Sequence, residues 1–252
     1  MRYKEFTESE RQKTPQRLIP DVPQDEEAIA EKLATYIKQH AKKWLSLSNN
    51  GELVVYRGTR SSPPPASGPR KPEPYFIKDT KIDRPPRDTA LDVHLAYNAM
   101  IKAVGGIANR NNSIFVSGNK PTAQAYGVTY VLIPLGEFHW TWSPEWDDWT
   151  FDVRTDNLGK LLRPDLVTKQ TQDLGKFLSG EYDNSTDRGG EIINYTDPNN
   201  YNRRVLKDKI LVDKDMHKAI QSGHEIMINA SSGMYIDPDI YQKVIPLLQE
   251  SN

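Results

Sequence analysis

Between Arg60 and Arg87 the chain is crowded with proline, with Pro63-Pro64-Pro65 and Pro85-Pro86 as its densest points. Proline fixes φ and has no N–H to donate, so such a stretch suits neither a helix interior nor a central strand. We read residues 60–87 as one long loop, or a polyproline spacer, within the folded region. The folded region itself is expected over 24–252, preceded by a polar, aperiodic arm at 1–23.

Composition narrows the class. A 252-residue chain can bury a proper core, but its 37% apolar content points to a modest one with many loops. Lys and Arg number 33 against 34 Asp and Glu, so net charge gives no general argument for nucleic-acid or membrane binding. Cysteine is absent, which excludes disulfides, thiolate catalysis and cysteine zinc sites and suits a reducing cytosol. The charged start MRYKEFTESERQKTPQR lacks the apolar segment of a secretory signal. No apolar run approaches the roughly 20 residues of a membrane helix.

Along the chain, Asp21 is a candidate cap for a helix carrying Ile29, Leu33, Ile37 and Trp44, stopped by Asn49-Asn50-Gly51. Leu53–Tyr56 reads as a strand. Thr89 caps a helix with Leu91, Leu95, Ile101 and Val104 on its apolar side, and Gly105-Gly106 ends it. Short strands follow at 113–117, 128–133, 138–142 and 149–153, with a brief helix from Pro121 to Tyr126. Helices are expected at 157–162 and 164–178, a polar loop at 179–190 and a strand at 191–195. The chain closes with helix 213–221, Gly223 as its stop, strand 224–229, a turn, strand 234–236 and helix 238–249. Helices flanking unequally spaced short strands make an α+β pattern rather than a doubly wound one.

Three short segments carry candidate chemistry. Val54-Val55-Tyr56-Arg57-Gly58 ends a strand with a bidentate cation beside glycine backbone that a ligand can approach; a surface arginine and a turn glycine are the plain alternative. In Ser113-Ile114-Phe115-Val116-Ser117, alternation puts both serines and Phe115 on one face, which suits a polar cleft or, more plainly, an exposed edge strand. In Gly223-His224-Glu225-Ile226-Met227-Ile228, Glu225 shares a face with Met227 and requires a partner, water or ligand, or, more plainly, lies on an exposed face. The histidines (His40, His94, His139, His217, His224) show no metal-ligand spacing, and no metal is expected. No glycine-rich phosphate loop or nucleophile elbow is present.

In the order Arg…Ser…Glu, these segments resemble the ADP-ribosyltransferase family in its Arg-Ser-Glu class. The matching residues are Arg57-Gly58, Phe115-Val116-Ser117-Gly118-Asn119 and Glu225, with Ala123-Gln124-Ala125-Tyr126-Gly127 also similar to family usage. Asn112-Ser113-x-Phe115 and Trp142-Ser143 before an acidic loop are similar to bacteriophage-encoded members. The resemblance implies a split β-sandwich of two small sheets with flanking helices around a cleft for NAD, used as substrate. It implies Glu225, Ser117 and Arg57 as catalytic residues, Arg57 also binding the diphosphate and holding the first strand in register. Gly58 would meet the nicotinamide amide, Ser117 would hydrogen-bond in the nicotinamide-ribose region and help fix Glu225, Ser113 would belong to the NAD-binding set, and Phe115 or Tyr126 would wall the nicotinamide. It further implies a host protein or nucleic-acid acceptor in the infected bacterial cytoplasm, with virion association as an added possibility and no membrane partner.

Two departures stand out. Ser117-Gly118-Asn119 replaces the family's Ser-Thr-Ser, and Gly223 occupies the position where arginine-modifying members carry an earlier glutamate. Another acceptor, NAD hydrolysis, or an inactive virion or host-interaction protein on the same fold are the consequent alternatives. Glu191 is a rival for the catalytic carboxylate. Four of the five tryptophans lie between Trp140 and Trp149, as a stacking platform or as hairpin packing. Asp147-Asp148 reads as a solvated turn and Arg203-Arg204…Lys207…Lys209 as a solvated face.

Overall fold

The computed structural model describes residues 16–17, 25–59, 73–84, 86, 91–147 and 207–250. Two strands form its spine. β5 (Val128–Trp142) and β7 (Glu225–Ile236) pair antiparallel from Val131 opposite Ile236 to Trp142 opposite Ile226. The ladder slips between Leu135 and Phe138, where Gly136 takes φ +70°. That irregularity divides the sheet into two halves. On one side of it β3 (Tyr75–Asp79) pairs with Ser232–Ile236, β1 (Gln16–Arg17) pairs with β3, and β2 (Tyr56–Thr59) pairs with Val128–Val131. On the other, β4 (Ile114–Ser117) pairs with Glu225–Ile228 and β6 (Leu211–Val212) with Thr141 and Trp142. A single pair, Tyr56 opposite Ser117, joins β2 to β4 and links the halves a second time.

Helices cover both faces. α1 (Glu26–His40) is capped by Asp25, whose carboxylate accepts the Ala28 N–H at 3.2 Å, and buries Ile29, Leu33 and Ile37. α2 (Lys42–Leu47) adds the fully buried Trp44. α6 (Pro238–Gln249) packs beside α1, and Lys243 reaches Glu26 and Glu27 at 2.7 Å each. Together with α5 (Met216–Ser222) they enclose the main core, which takes Ile114 and Val116 from β4, Trp140 and Trp142 from β5, and Ile226 and Ile228 from β7. The opposite face of the same strands presents Phe115 and Met227 to a smaller core of Tyr97, Met100 and Ile101 from α3 (Leu91–Ala103), with Trp146. α4 (Lys120–Gln124) follows β4 directly.

The α+β class holds. Several element boundaries do not. The first helix breaks at Ala41 and is capped by Asp25 rather than Asp21. The strand expected at Leu53–Tyr56 starts at Tyr56, so Arg57 lies within it. The expected loop 60–87 contains β3, paired on both edges; Tyr75–Asp79 is free of proline, so every N–H is available to the ladders. Strands expected at 128–133 and 138–142 are one strand carried through the slip at Gly136. The turn expected before residue 234 is absent as well, because Ser232 and Gly233 pair with β3 and β5 on either side. The elements expected at 149–153, 157–162, 164–178 and 191–195, and the cap Thr89, lie outside the described residues. Among those residues no helix is long and apolar enough to cross a membrane.

Candidate functional site

Three segments far apart in sequence meet where β2, β4 and β7 lie side by side. Ser117 stands opposite Tyr56 on one edge and Glu225 on the other, forming one row across the three strands. Arg57 follows Tyr56, and its Nη1 donates to the Phe115 carbonyl at 2.8 Å. The guanidinium thus ties β2 to β4 where the ladder itself supplies a single pair. Gly58 has a packing role: a Cβ there would stand 2.0 Å from the Ala123 carbonyl oxygen and 2.8 Å from Tyr126 Cβ. α4 fills that side, and Tyr126 at its end is half exposed.

β4 is flanked by β7 and meets β2 at its end, so the exposed edge-strand alternative falls away: Ser113 and Ser117 are 2% and 4% exposed. The Ser113 hydroxyl donates to Asn112 Oδ1 at 3.1 Å, and its carbonyl accepts from Arg84 Nη1 at 3.4 Å. The Ser117 hydroxyl donates to the Gly223 carbonyl and accepts the Asn119 N–H at 3.0 Å. Ser117 therefore fastens β4 to the turn that precedes β7. Phe115, between the serines, lies near two guanidiniums, those of Arg84 and Arg110, each 5.1 Å from its ring centroid.

Glu225 donates its N–H to the Asp147 carbonyl at 3.0 Å, and its Oε1 lies 3.6 Å from Arg110 Nη1. The Glu225 side chain is 24% exposed and that of Arg110 11%. Arg110 is itself built in. Its N–H donates to Asn98 Oδ1 at 2.9 Å, and its guanidinium lies 5.4 Å from the Tyr97 ring centroid. Asn111 beside it accepts from Asn98 Nδ2 at 2.9 Å and hydrogen-bonds His94 Nε2. Burial lowers the His94 pKa; the Asn111 hydrogen bond opposes this, and the charges of Arg110 and Arg84 add to the lowering.

Gly223 ends α5 in the left-handed region at φ +75°. A side chain at this position, where the family resemblance looks for a glutamate, would be strained. Gly118 is equally constrained, since a Cβ there would stand 1.8 Å from the Ile220 carbonyl oxygen. This close contact favours glycine at the position.

The tryptophan platform is not formed by Trp140, Trp142 and Trp146, which are 5%, 2% and 2% exposed. Trp140 and Trp142 donate their indole N–H groups to the Lys214 carbonyl at 3.1 and 2.9 Å. They pack into the main core from a single strand, so the packing alternative holds for them without the expected hairpin. Lys209 pairs with Glu145 at 2.5 Å. Trp149, Asp148, Glu191, Arg203 and Arg204 lie outside the described residues.

Sequence reasoning singles out Arg57, Ser117 and Glu225, which lie on three adjacent strands, but not Arg84 and Arg110, the cations beside Phe115. Arg110 was visible only as part of a polar run, Asn109–Asn112, with nothing local to distinguish it from a solvated loop. Around Phe115 the described residues gather the guanidiniums of Arg57, Arg84 and Arg110 with the part-exposed carboxylate of Glu225. Such a site can attract an anionic ligand while offering a fixed negative charge to a centre that becomes positive. Comparison with protein-family models, with curated proteins and with solved structures gave no match.

Proposed function

We propose that this chain is an ADP-ribosyltransferase that moves ADP-ribose from NAD to a macromolecular acceptor and releases nicotinamide. The finer fold reading is a split β-sandwich of that family's kind, with the two half-sheets meeting at the Tyr56–Ser117 pair. The observation that carries the proposal is the row Tyr56–Ser117–Glu225 with Arg57 beside it, which brings the Arg, Ser and Glu motifs onto three adjacent strands.

The chemistry follows from that set. The bond between the ribose anomeric carbon and the nicotinamide nitrogen breaks, its electron pair leaves with neutral nicotinamide, and the sugar develops oxocarbenium character. The Glu225 carboxylate interacts more strongly with that developing charge than with the ground state, which lowers the barrier. Arg57 supplies a cation for the diphosphate. Tyr126, half exposed beside Gly58, suits the aromatic wall better than Phe115, whose ring already lies beside two guanidiniums. Ser113, buried at the far end of β4 with its hydroxyl bonded to Asn112, suits a structural role better than ligand contact. An acceptor atom then bonds to the anomeric carbon and loses its proton to solvent. The resemblance to bacteriophage-encoded members extends the proposal to a host protein or nucleic acid as acceptor, in the infected cytoplasm, with delivery in the virion.

A second reading has an observation of its own. Gly223 offers no acceptor-directing carboxylate, and its carbonyl is taken by Ser117, which suits a scaffold that binds NAD without turnover. Nicotinamide release from NAD, with and without bacterial lysate, separates the two. Release by the wild type that disappears in Glu225→Ala supports the transferase. NAD binding with no release from a folded sample supports the scaffold.

A further inference from the structure

We infer that Arg110 is the positioning residue for Glu225, presenting the carboxylate to the site in a single ionised orientation. The inference rests on the reading of Glu225 as the reacting carboxylate. Arg110 is held from two elements at once: its backbone N–H donates to Asn98 of α3, and its guanidinium lies between the Tyr97 ring of α3 and the Phe115 ring of β4. Little torsional freedom is left to a guanidinium enclosed in this way, 11% exposed.

From this position its Nη1 lies 3.6 Å from Glu225 Oε1, which is itself buried, although the Glu225 side chain is a quarter exposed. The exposed part is therefore the remainder of the side chain. The Glu225 backbone is fixed separately, by the Asp147 carbonyl and by its ladder position opposite Ser117. Strand and backbone thus set where the side chain starts, and Arg110 sets where it points.

The test uses the full chain with isotope-labelled arginine and the nearly isosteric Glu225→Gln variant. The Arg110 guanidinium resonances should shift on that substitution. An unchanged Arg110 signal overturns the inference, whatever the activity. Kinetics then test the consequence. Arg110→Gln should lower kcat for nicotinamide release about 10²-fold, with a much smaller change in KM. Arg110→Lys, which keeps the cation without the planar fork, should recover part of that loss. Full kcat in Arg110→Gln also overturns the inference. Absence of release from wild type, with the Arg110 signal still answering to Glu225→Gln, would sink the transferase reading and leave the pair standing.

Discussion

Ser117 and Gly223 are joined side chain to backbone: the serine hydroxyl donates to the glycine carbonyl, two residues before Glu225. The bond spans the point where α5 ends and β7 begins, so the serine anchors the start of the strand that carries the carboxylate. Removing the hydroxyl leaves a part-buried carbonyl without that donor, which costs about 1–3 kcal/mol. In Ser117→Ala we expect a lower urea midpoint together with reduced nicotinamide release. Loss of release with an unaltered midpoint would mean the hydroxyl acts on substrate instead.

Arg57 makes a structural tie of a similar kind, to which the proposed function adds the diphosphate. Its hydrogen bond to the Phe115 carbonyl spans β2 and β4, which otherwise share one residue pair. Arg57→Gln should therefore cost about 1.5–3 kcal/mol in stability and weaken NAD binding. Glu225→Gln is the contrast. It should leave NAD affinity within a few-fold while lowering kcat about 10²–10³-fold, as loss of an aimed charge does. Equal effects of the two substitutions on KM and kcat would remove the division of labour between them.

Local pattern made part of this arrangement legible. The alternation in 225–228 sends Ile226 and Ile228 to the main core and Met227 to the other face. Gly105 and Gly223 both adopt positive φ where the sequence reading stops a helix. Partners remote in sequence decide what that reading misses. Gly136 and Ser232-Gly233 look like breaks, yet β5 carries on through the slip at Gly136, and Ser232 and Gly233 pair with β3 and β5 on either side. Gly58 and Gly118 look like loop glycines, yet each admits a helix or its end against a strand. Arg84 and Arg110 acquire meaning only through Phe115 and Glu225, which lie in other elements.

Gly118 gives a packing prediction. An added Cβ would meet Ile220 at its carbonyl oxygen, carbonyl carbon and Cα, at 1.8, 2.7 and 3.1 Å. All three are backbone atoms, so relief requires moving the end of α5 rather than turning a side chain. Gly118→Ala should cost at least about 1–3 kcal/mol, and Gly118→Thr more, although threonine stands there in the family motif. A urea midpoint equal to wild type for Gly118→Thr would show that the end of α5 yields freely.

Gly223 separates backbone strain from missing chemistry. Its φ of +75° favours glycine, and Gly223→Ala should cost about 1 kcal/mol with the urea m-value unchanged. Gly223→Glu introduces the carboxylate that arginine-modifying members of the proposed family carry, but on backbone that resists it. We expect the same loss of stability and no gain in transfer to an arginine acceptor. New arginine modification by this variant would show that the residue type alone had been missing.

His94 makes stability depend on pH. Burial holds its folded pKa below the ordinary 6.5, and the nearby Arg110 and Arg84 charges act in the same direction. Well above pH 6.5 neither the folded nor the unfolded chain protonates this ring, and His94 adds no pH dependence. Below pH 6.5 the unfolded chain takes up the proton first, so stability falls until the lower folded pKa is reached. His94→Gln removes that loss while retaining a donor for Asn111. The stability gap between wild type and variant should therefore narrow from pH 7.5 to pH 5.5, because the exposed histidines common to both chains cancel in the difference. Urea unfolding at each pH reads the gap directly, and a constant gap would mean that His94 titrates normally in the folded chain.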